Sequence, residues 1–346
     1  MNKQGSVLAA IAILALAFGI LLSQSPSKNK FEAGLLFDDL QEFANQLDSV
    51  EITNAQGVLF RAQKIADHWL ATVNSEQLVY PISQGKLAGF VETMMHIKLV
   101  EAKTSKPQNY SRLGLQPIDI TDSMATLVTL KKNDVSWQVL VGNKVTIGEG
   151  HYILKLDDAR SWRTDKTINL PIDKFTWLKH PILPYQEQDI SSISRVDSLD
   201  WQIVRSASGD FELINMPKGQ KLEYDSILNS IVGSLTSLEF EQLLDVDEIS
   251  ADEYFTQSLT VLTQLEVSTT QENIFQVIVS EIDNKHFVNF NSNGPSQYWQ
   301  KWYYQVSTFS AQQLIKTLDD FLAQDTPVTN GSIHNSHAVD EGDSPN

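Results

Sequence analysis

The chain contains no cysteine. That absence removes disulfides, thiol nucleophiles, cysteine-type zinc sites and a lipid-modified amino-terminal cysteine. Positive charge is also scarce: 26 Lys and Arg stand against 43 Asp and Glu, a formal net charge of −17. Such a field repels phosphate backbones, whose binding depends on Lys and Arg displacing counterions, so no nucleic-acid partner is expected. Histidines are few, and His68, His96, His151, His180, His286, His334 and His337 form no paired His-Glu arrangement of a helical zinc protease. No Gly-x-Ser-x-Gly elbow is present, and Gly142, Gly148 and Gly150 lack dinucleotide-binding spacing. No catalytic residue, cofactor or metal site is assigned from the sequence.

Long apolar runs are limited to one. From Val7 to Leu22 every residue is apolar or glycine, with Lys3 before it and Lys28 and Lys30 after it. At about 1.5 Å per residue a helix over Ser6 to Gln24 roughly matches a hydrocarbon core of about 30 Å, at the short end. Val7, Leu8, Ile11, Ile13, Leu14, Leu16, Phe18, Ile20, Leu21 and Leu22 are the expected membrane-facing residues. The segment reads as a retained signal-anchor, because Leu and Ile run up to Ser23. Cleavage at Ser23-Gln24-Ser25 is the alternative. Lysines are nearly balanced across the run, so they give orientation weakly. A short amino-terminal tail and a long body favour a periplasmic body on a single-pass inner-membrane anchor.

The body reads as the same unit twice. Trp137-Gln138-Val139-Leu140-Val141 returns as Phe275-Gln276-Val277-Ile278-Val279, both with the period-two pattern of a half-buried strand. Ile52 and Phe60 correspond to Ile193 and Trp201. Leu87, Phe90, Val91, Met94 and Ile97 correspond to Leu228, Ile231, Val232, Leu235 and Leu238, an amphipathic helical stripe in each copy. Tyr152, Leu154 and Ala159 are paired with Tyr304, Val306 and Ala311. Hairpin turns are expected at Gly142-Asn143 and around Gly148 to Gly150.

The expected fold is therefore α+β: two tandem pseudo-repeats of antiparallel sheet plus packed helix, after an N-terminal transmembrane helix. Its parts are the anchor at 1–30, a first repeat at 31–175, a proline-containing linker at 176–188, a second repeat at 189–324 and a polar, disordered tail at 325–346. A lead-in helix is expected over 35–47, with Leu36, Leu40, Phe43 and Leu47 on one face. A closing helix should carry Ala311, Leu314, Ile315, Leu318 and Leu322.

The acidic stretches read as structural. Asp245-Val246-Asp247-Glu248 with Asp252-Glu253 lacks the glycine and terminal glutamate of a calcium loop and is taken as a solvated loop. Asp157-Asp158 reads as a helix start. His334 and His337 fall in the tail, and His151 and Tyr152 are ordinary edge residues.

Gly34-Leu35-Leu36-Phe37 through Val50-Glu51-Ile52, Trp69-Leu70, Tyr80-Pro81, Val100 to Thr104 and Tyr110 to Leu115 carry a resemblance. Val141-Gly142, Gly150-His151-Tyr152 and Phe175 to Leu178 continue it. Over roughly residues 34 to 240 the chain resembles the bacterial family called domain of unknown function 4340. The resemblance implies a single amino-terminal membrane segment and an accessory role beside an ABC-type transporter and a gliding-motility-like auxiliary protein. It supplies no catalytic residues.

The densest aromatic stretch, Tyr298-Trp299 and Trp302-Tyr303-Tyr304, is the candidate interaction surface. Trp302 and Tyr304 should face the core, and Trp299 and Tyr303 the solvent, where exposed Trp and Tyr favour contacts. Trp299, Trp302, Tyr303 and Tyr298 are thus the expected contact residues. The sequence predicts a non-catalytic, membrane-anchored accessory protein. Two classes compete with it: an envelope hydrolase, which needs convergent carboxylates about 5–10 Å apart, and a free-standing carbohydrate- or lipid-binding module.

Overall fold

The computed structural model describes residues 33–73, 79–214 and 216–323. Residues expected to form the anchor and the tail, including His334 and His337, lie outside the described residues. No described helix is long and apolar enough to cross a membrane. The chain divides into two compact units, with the boundary between His180 and Pro181.

In the first unit, β1 (Gly34–Leu35), α1 (Leu40–Phe43), β2 (Ser49–Asn54), β3 (Gly57–Ile65), β4 (His68–Thr72) and β5 (Val79–Pro81) precede helix α2 (Gln84–His96). Then follow β6 (Lys98–Ala102), β7 (Thr126–Lys132), β8 (Val135–Lys144), β9 (His151–Lys155) and β10 (Ser161–Thr164). All ten strands form one antiparallel sheet in the order β1-β6-β10-β9-β8-β7-β2-β3-β4-β5.

The second unit contains β11 (Ile190–Arg195), β12 (Gln202–Arg205), β13 (Phe211–Leu213), α3 (Ile227–Thr236) and β14 (Gln242–Asp245). After them come α4 (Val246–Ser250), α5 (Glu253–Ser258), β15 (Thr260–Thr269), β16 (Ile274–Ile282), β17 (Lys285–Asn291), β18 (Trp302–Val306) and α6 (Thr308–Leu314). Its antiparallel sheet runs β14-β18-β17-β16-β15-β11-β12-β13. That is the order β6-β10-β9-β8-β7-β2-β3-β4 repeated strand for strand. Both units are antiparallel α+β.

Alternation explains the strands. β15 buries Thr263, Leu265, Val267 and Thr269 and turns the intervening residues outward. Helix α2 buries Leu87, Phe90 and Met94, and α3 buries Ile227, Leu228, Ile231, Val232 and Leu235, each set a single stripe. Trp177 joins helix to sheet, its ring 4.9 Å from Phe90 and 5.0 Å from Phe60. Each unit also places the segment before its central meander, after β6 in the first and β14 in the second, over the sheet's other face. In the first, residues 103–125 bring Tyr110, Leu115 and Ala125 onto Leu140 and Leu154. In the second, α4 and α5 bring Phe255 onto Ile282 and Phe287.

Several expectations are corrected. The order of strands pairs β9 with β17 and β10 with β18, so Tyr152 and Leu154 do not correspond to Tyr304 and Val306; Ala311 lies in α6, outside the sheet. Gly142 is no turn residue: β8 continues through it, and the β7–β8 hairpin turns at Asn133, with φ of 50°. Glycine is needed at 142 because a Cβ there would lie 2.3 Å from the Leu113 carbonyl oxygen. The lead-in helix shrinks to α1 and a 3-10 turn over Ala44–Gln46, and the closing helix stops at Leu314 before a second 3-10 turn, Leu318–Phe321.

The proline stretch is not a bare linker. Trp177 and Leu178 are buried in the first unit and Ile182 and Leu183 in the second, whose Ile182 N–H donates to the Leu238 carbonyl at 2.9 Å. The acidic loop is helical, because Asp252 caps α5 by accepting from the Phe255 N–H at 3.1 Å. Asp158 starts no helix; it accepts from the Arg160 N–H and the Trp162 indole in a turn.

Candidate functional site

The aromatic stretch of the second unit begins as a 3-10 turn, Tyr298–Lys301, with a reciprocal capping box between Gln297 and Gln300. The turn changes the period, so Trp299 points inward and not to solvent. It is 1% exposed, with its ring 5.4 Å from Phe275 and 5.6 Å from Phe290. Its indole N–H finds no acceptor among the described residues. Trp302 is also 1% exposed, and Tyr304 is fully buried, 5.7 Å from Phe290. The expected outward face of Trp299 is therefore corrected, and both tryptophans are core.

Tyr303 points to the opposite face, half-buried against Phe255 at 5.4 Å, and burial raises its pKa. The Tyr298 hydroxyl donates to the Ile182 carbonyl at 2.6 Å. Burial, with nearby Tyr185, pushes its pKa up to about 12. Tyr185 itself stacks on Phe275 at 5.6 Å. The aromatic stretch is thus a plug at the corner where β16 begins and β17 ends, with Trp299 closed on Phe275 and Phe290.

The same corner of the first unit is open. A cleft of about 470 Å³ lies where β8 begins and β9 ends. Two differences open it. In β17, Phe290 pairs with Val277; in β9, the residue pairing with the corresponding Val139 is Lys155. The connection after β17 spans residues 292–301 and carries Trp299 inward, whereas the turn after β9 spans only 156–160.

Trp137 forms the floor of the cleft, 5% exposed, its indole donating to Asp39 Oδ1 at 2.8 Å. Phe37 and exposed Asp38 and Asp39 form one wall. Val135 and Leu156, 49% and 52% exposed, are apolar lips. Asp157 lies 4.0 Å from the Lys155 ammonium. The walls hold three carboxylates against one cation, a field suited to a positively charged guest. Phe43 supports Trp137 from behind at 5.9 Å, with Lys132 over its ring at 4.2 Å.

Other polar clusters are spent on structure. His151 Nδ1 accepts from the Ile168 N–H at 3.1 Å, and burial, aided by Lys144, lowers its pKa. Arg195 grips Asp197 through two bonds of 3.0 Å, while its Nη1 and the Trp201 indole both donate to the Lys316 carbonyl. Burial raises the Asp197 pKa, but the bond and charge of Arg195 outweigh it and leave the carboxyl below its ordinary value. These contacts clasp the 3-10 turn at Leu318–Phe321 to β11. Glu281 and His286 sit 3.3 Å apart as cross-strand partners. Ser280, next along the strand, points to the opposite face, so the three do not form a nucleophile–base relay.

The sequence reading brings forward Tyr298, Trp299, Trp302 and Tyr303 and passes over Asp38, Asp39, Leu156 and the core-facing place of Lys155. The signal was in the chain: aligning β9 with β17 places Lys155 against Phe290, a charged residue at a core-facing aromatic position. Pairing Tyr152 with Tyr304 hid it. In comparison with known proteins, the model of the family described as Domain of unknown function (DUF4340) matches residues 69–256. No curated protein and no solved structure matches the chain.

Proposed function

The chain belongs to the DUF4340 family, and from that premise we propose a membrane-anchored, extracytoplasmic accessory protein of an ABC-type transport or cell-envelope complex, acting by contact and not by catalysis. The observation that carries the reading is the apolar run from Val7 to Leu22, which with its flanks from Ser6 to Gln24 roughly matches a hydrocarbon core at the short end. Behind it stand two sheet units that share an eight-strand order, which supports descent from one duplicated unit. Carboxylates such as Asp158, Asp197 and Asp252 are engaged in turns, ion pairs and caps, which supports a scaffold role. The transporter association follows from the family resemblance.

Two measurements in intact cells test the proposal. The mature amino terminus should retain the apolar run, and the protein should stay in membranes washed at high pH. In-cell crosslinking should then recover transporter subunits. A mature chain beginning near Ser25, released with the periplasmic fraction, refutes the anchor. Repeated crosslinking that yields no membrane transport component refutes the accessory role.

A further inference from the structure

The geometry points to the open corner of the first unit as a docking cleft for a basic, partly apolar peptide segment of a partner protein. The inference goes beyond the anchored-accessory reading and stands without it, because it rests on the first unit's geometry alone.

The second unit shows that this fold can close the corner. Phe290 and Trp299 fill it against Phe275, the three ring centroids lying 5.4–6.4 Å apart. The first unit leaves about 470 Å³ at the same place, within the range of about 300–1,000 Å³ typical of ligand sites. Lys155 stands where the filling aromatic would be. The floor is firm, since Asp39 fixes the Trp137 indole from the cleft wall. A preformed concave site with a held floor spares a guest part of the ordering cost of binding.

Charge and polarity choose the guest. Asp38, Asp39 and Asp157 outnumber Lys155, and Lys155 is already within 4.0 Å of Asp157. A cationic group is attracted there, and the net charge of −17 adds a long-range pull on basic segments. Val135 and Leu156 expose apolar surface beside those carboxylates. A lysine or arginine side chain suits both, with its alkyl stem on the lips and its charged head at Asp38 or Asp157. An apolar neighbour in the peptide would cover the second lip, which a bare cation would leave wet. Among the described residues no group of three or more His, Asp or Glu could hold a metal ion, so a metal is not the guest favoured.

The test uses the full chain in mild detergent and a fluorescein-labelled lysine–leucine–lysine amide, read by anisotropy against a micelle blank. The peptide should bind, and a glutamate–leucine–glutamate amide should not. Asp38→Asn and Asp157→Asn should each weaken binding about threefold, the scale of an exposed ion pair. Lys155→Phe separates filling from charge. It removes a cation, so electrostatics alone would tighten a basic peptide. Filling the corner as Phe290 does should instead weaken binding about tenfold or more.

Wild-type-like or tighter binding by Lys155→Phe overturns the proposal. So does absence of binding to the wild-type chain, or equal binding of a lysine–glycine–lysine amide, which would mean diffuse charge attraction. Should Lys155→Phe fail to fold, Leu156→Ser carries the decision. Loss of the leucine peptide's advantage over the glycine peptide supports the cleft, and an unchanged advantage overturns it.

Discussion

Trp299→Ala should destabilise the second unit by about 3–5 kcal/mol, the range for deleting a buried large aromatic. The side chain is 1% exposed and lies against Phe275 and Phe290 at 5.4 and 5.6 Å. A tryptophan buries about 150–250 Å²; at about 25 cal/mol per Å² that is about 4–6 kcal/mol as an upper estimate. The two ring contacts add about 0.5–1.5 kcal/mol each. Against this, deleting an indole N–H that lacks a partner returns about 1–3 kcal/mol. Partial collapse of the cavity and a compact unfolded chain reduce the sum to the stated range.

Hydrogen exchange followed by mass spectrometry on the full chain reads the effect unit by unit. Exchange of β16 and β17 amides through unit opening should accelerate by about two to four orders of magnitude, while β7 and β8 keep wild-type protection. Trp299→Phe retains most of the plug and sheds the unpaired N–H, so it should fall well below the alanine cost. If Trp299→Ala leaves β16 and β17 protected as in the wild type, Trp299 is not a plug, and the contrast between the two corners fails with it.

Gly142→Ala should cost about 1–3 kcal/mol or more in urea unfolding, because its Cβ meets the Leu113 carbonyl at 2.3 Å and the cap over residues 107–113 must shift. His151, whose pKa is lowered from 6.5, contributes stability that is present above about pH 6.5 and lost as pH falls through its folded value, since the unfolded chain then binds more protons. Acid exchange of the Ile168 amide should report that loss, and His151→Phe should flatten this pH dependence. Tyr298→Phe should lower stability by about 1 kcal/mol by orphaning the Ile182 carbonyl. With its pKa raised to about 12 from an ordinary 10, Tyr298 contributes stability fully present below pH 10 and lost as pH rises toward 12. The phenylalanine variant should lack that alkaline loss; an equal loss in both would refute the buried-hydroxyl assignment.

Much of the architecture was legible in the chain because it is written in short-range periods. Trp137-Val139-Val141 and Phe275-Val277-Val279 alternate, and both prove to be core-facing strand positions. The stripes on α2 and α3 are spaced as a helix requires. The errors fall where a tertiary contact overrides the local pattern. Gly142 looks like a turn residue and is instead a strand residue kept small by the backbone of a distant segment. Trp299 looks outward by strand alternation, but a 3-10 turn resets the period just before β18. The prolines at 181 and 184 suggest a bare linker, yet Ile182 and Leu183 between them are core.

Composition and periodicity alone determined the absence of thiol chemistry, the acidic field, the single apolar run and two antiparallel α+β units, because each depends on residue type or on neighbours a few positions apart. Tertiary structure decided which corner is filled and which is open. That outcome turns on Lys155 facing Val139 across one pair of strands and Phe290 facing Val277 across another. Such pairing is a register between neighbouring strands, which residue type and periodicity by themselves leave open.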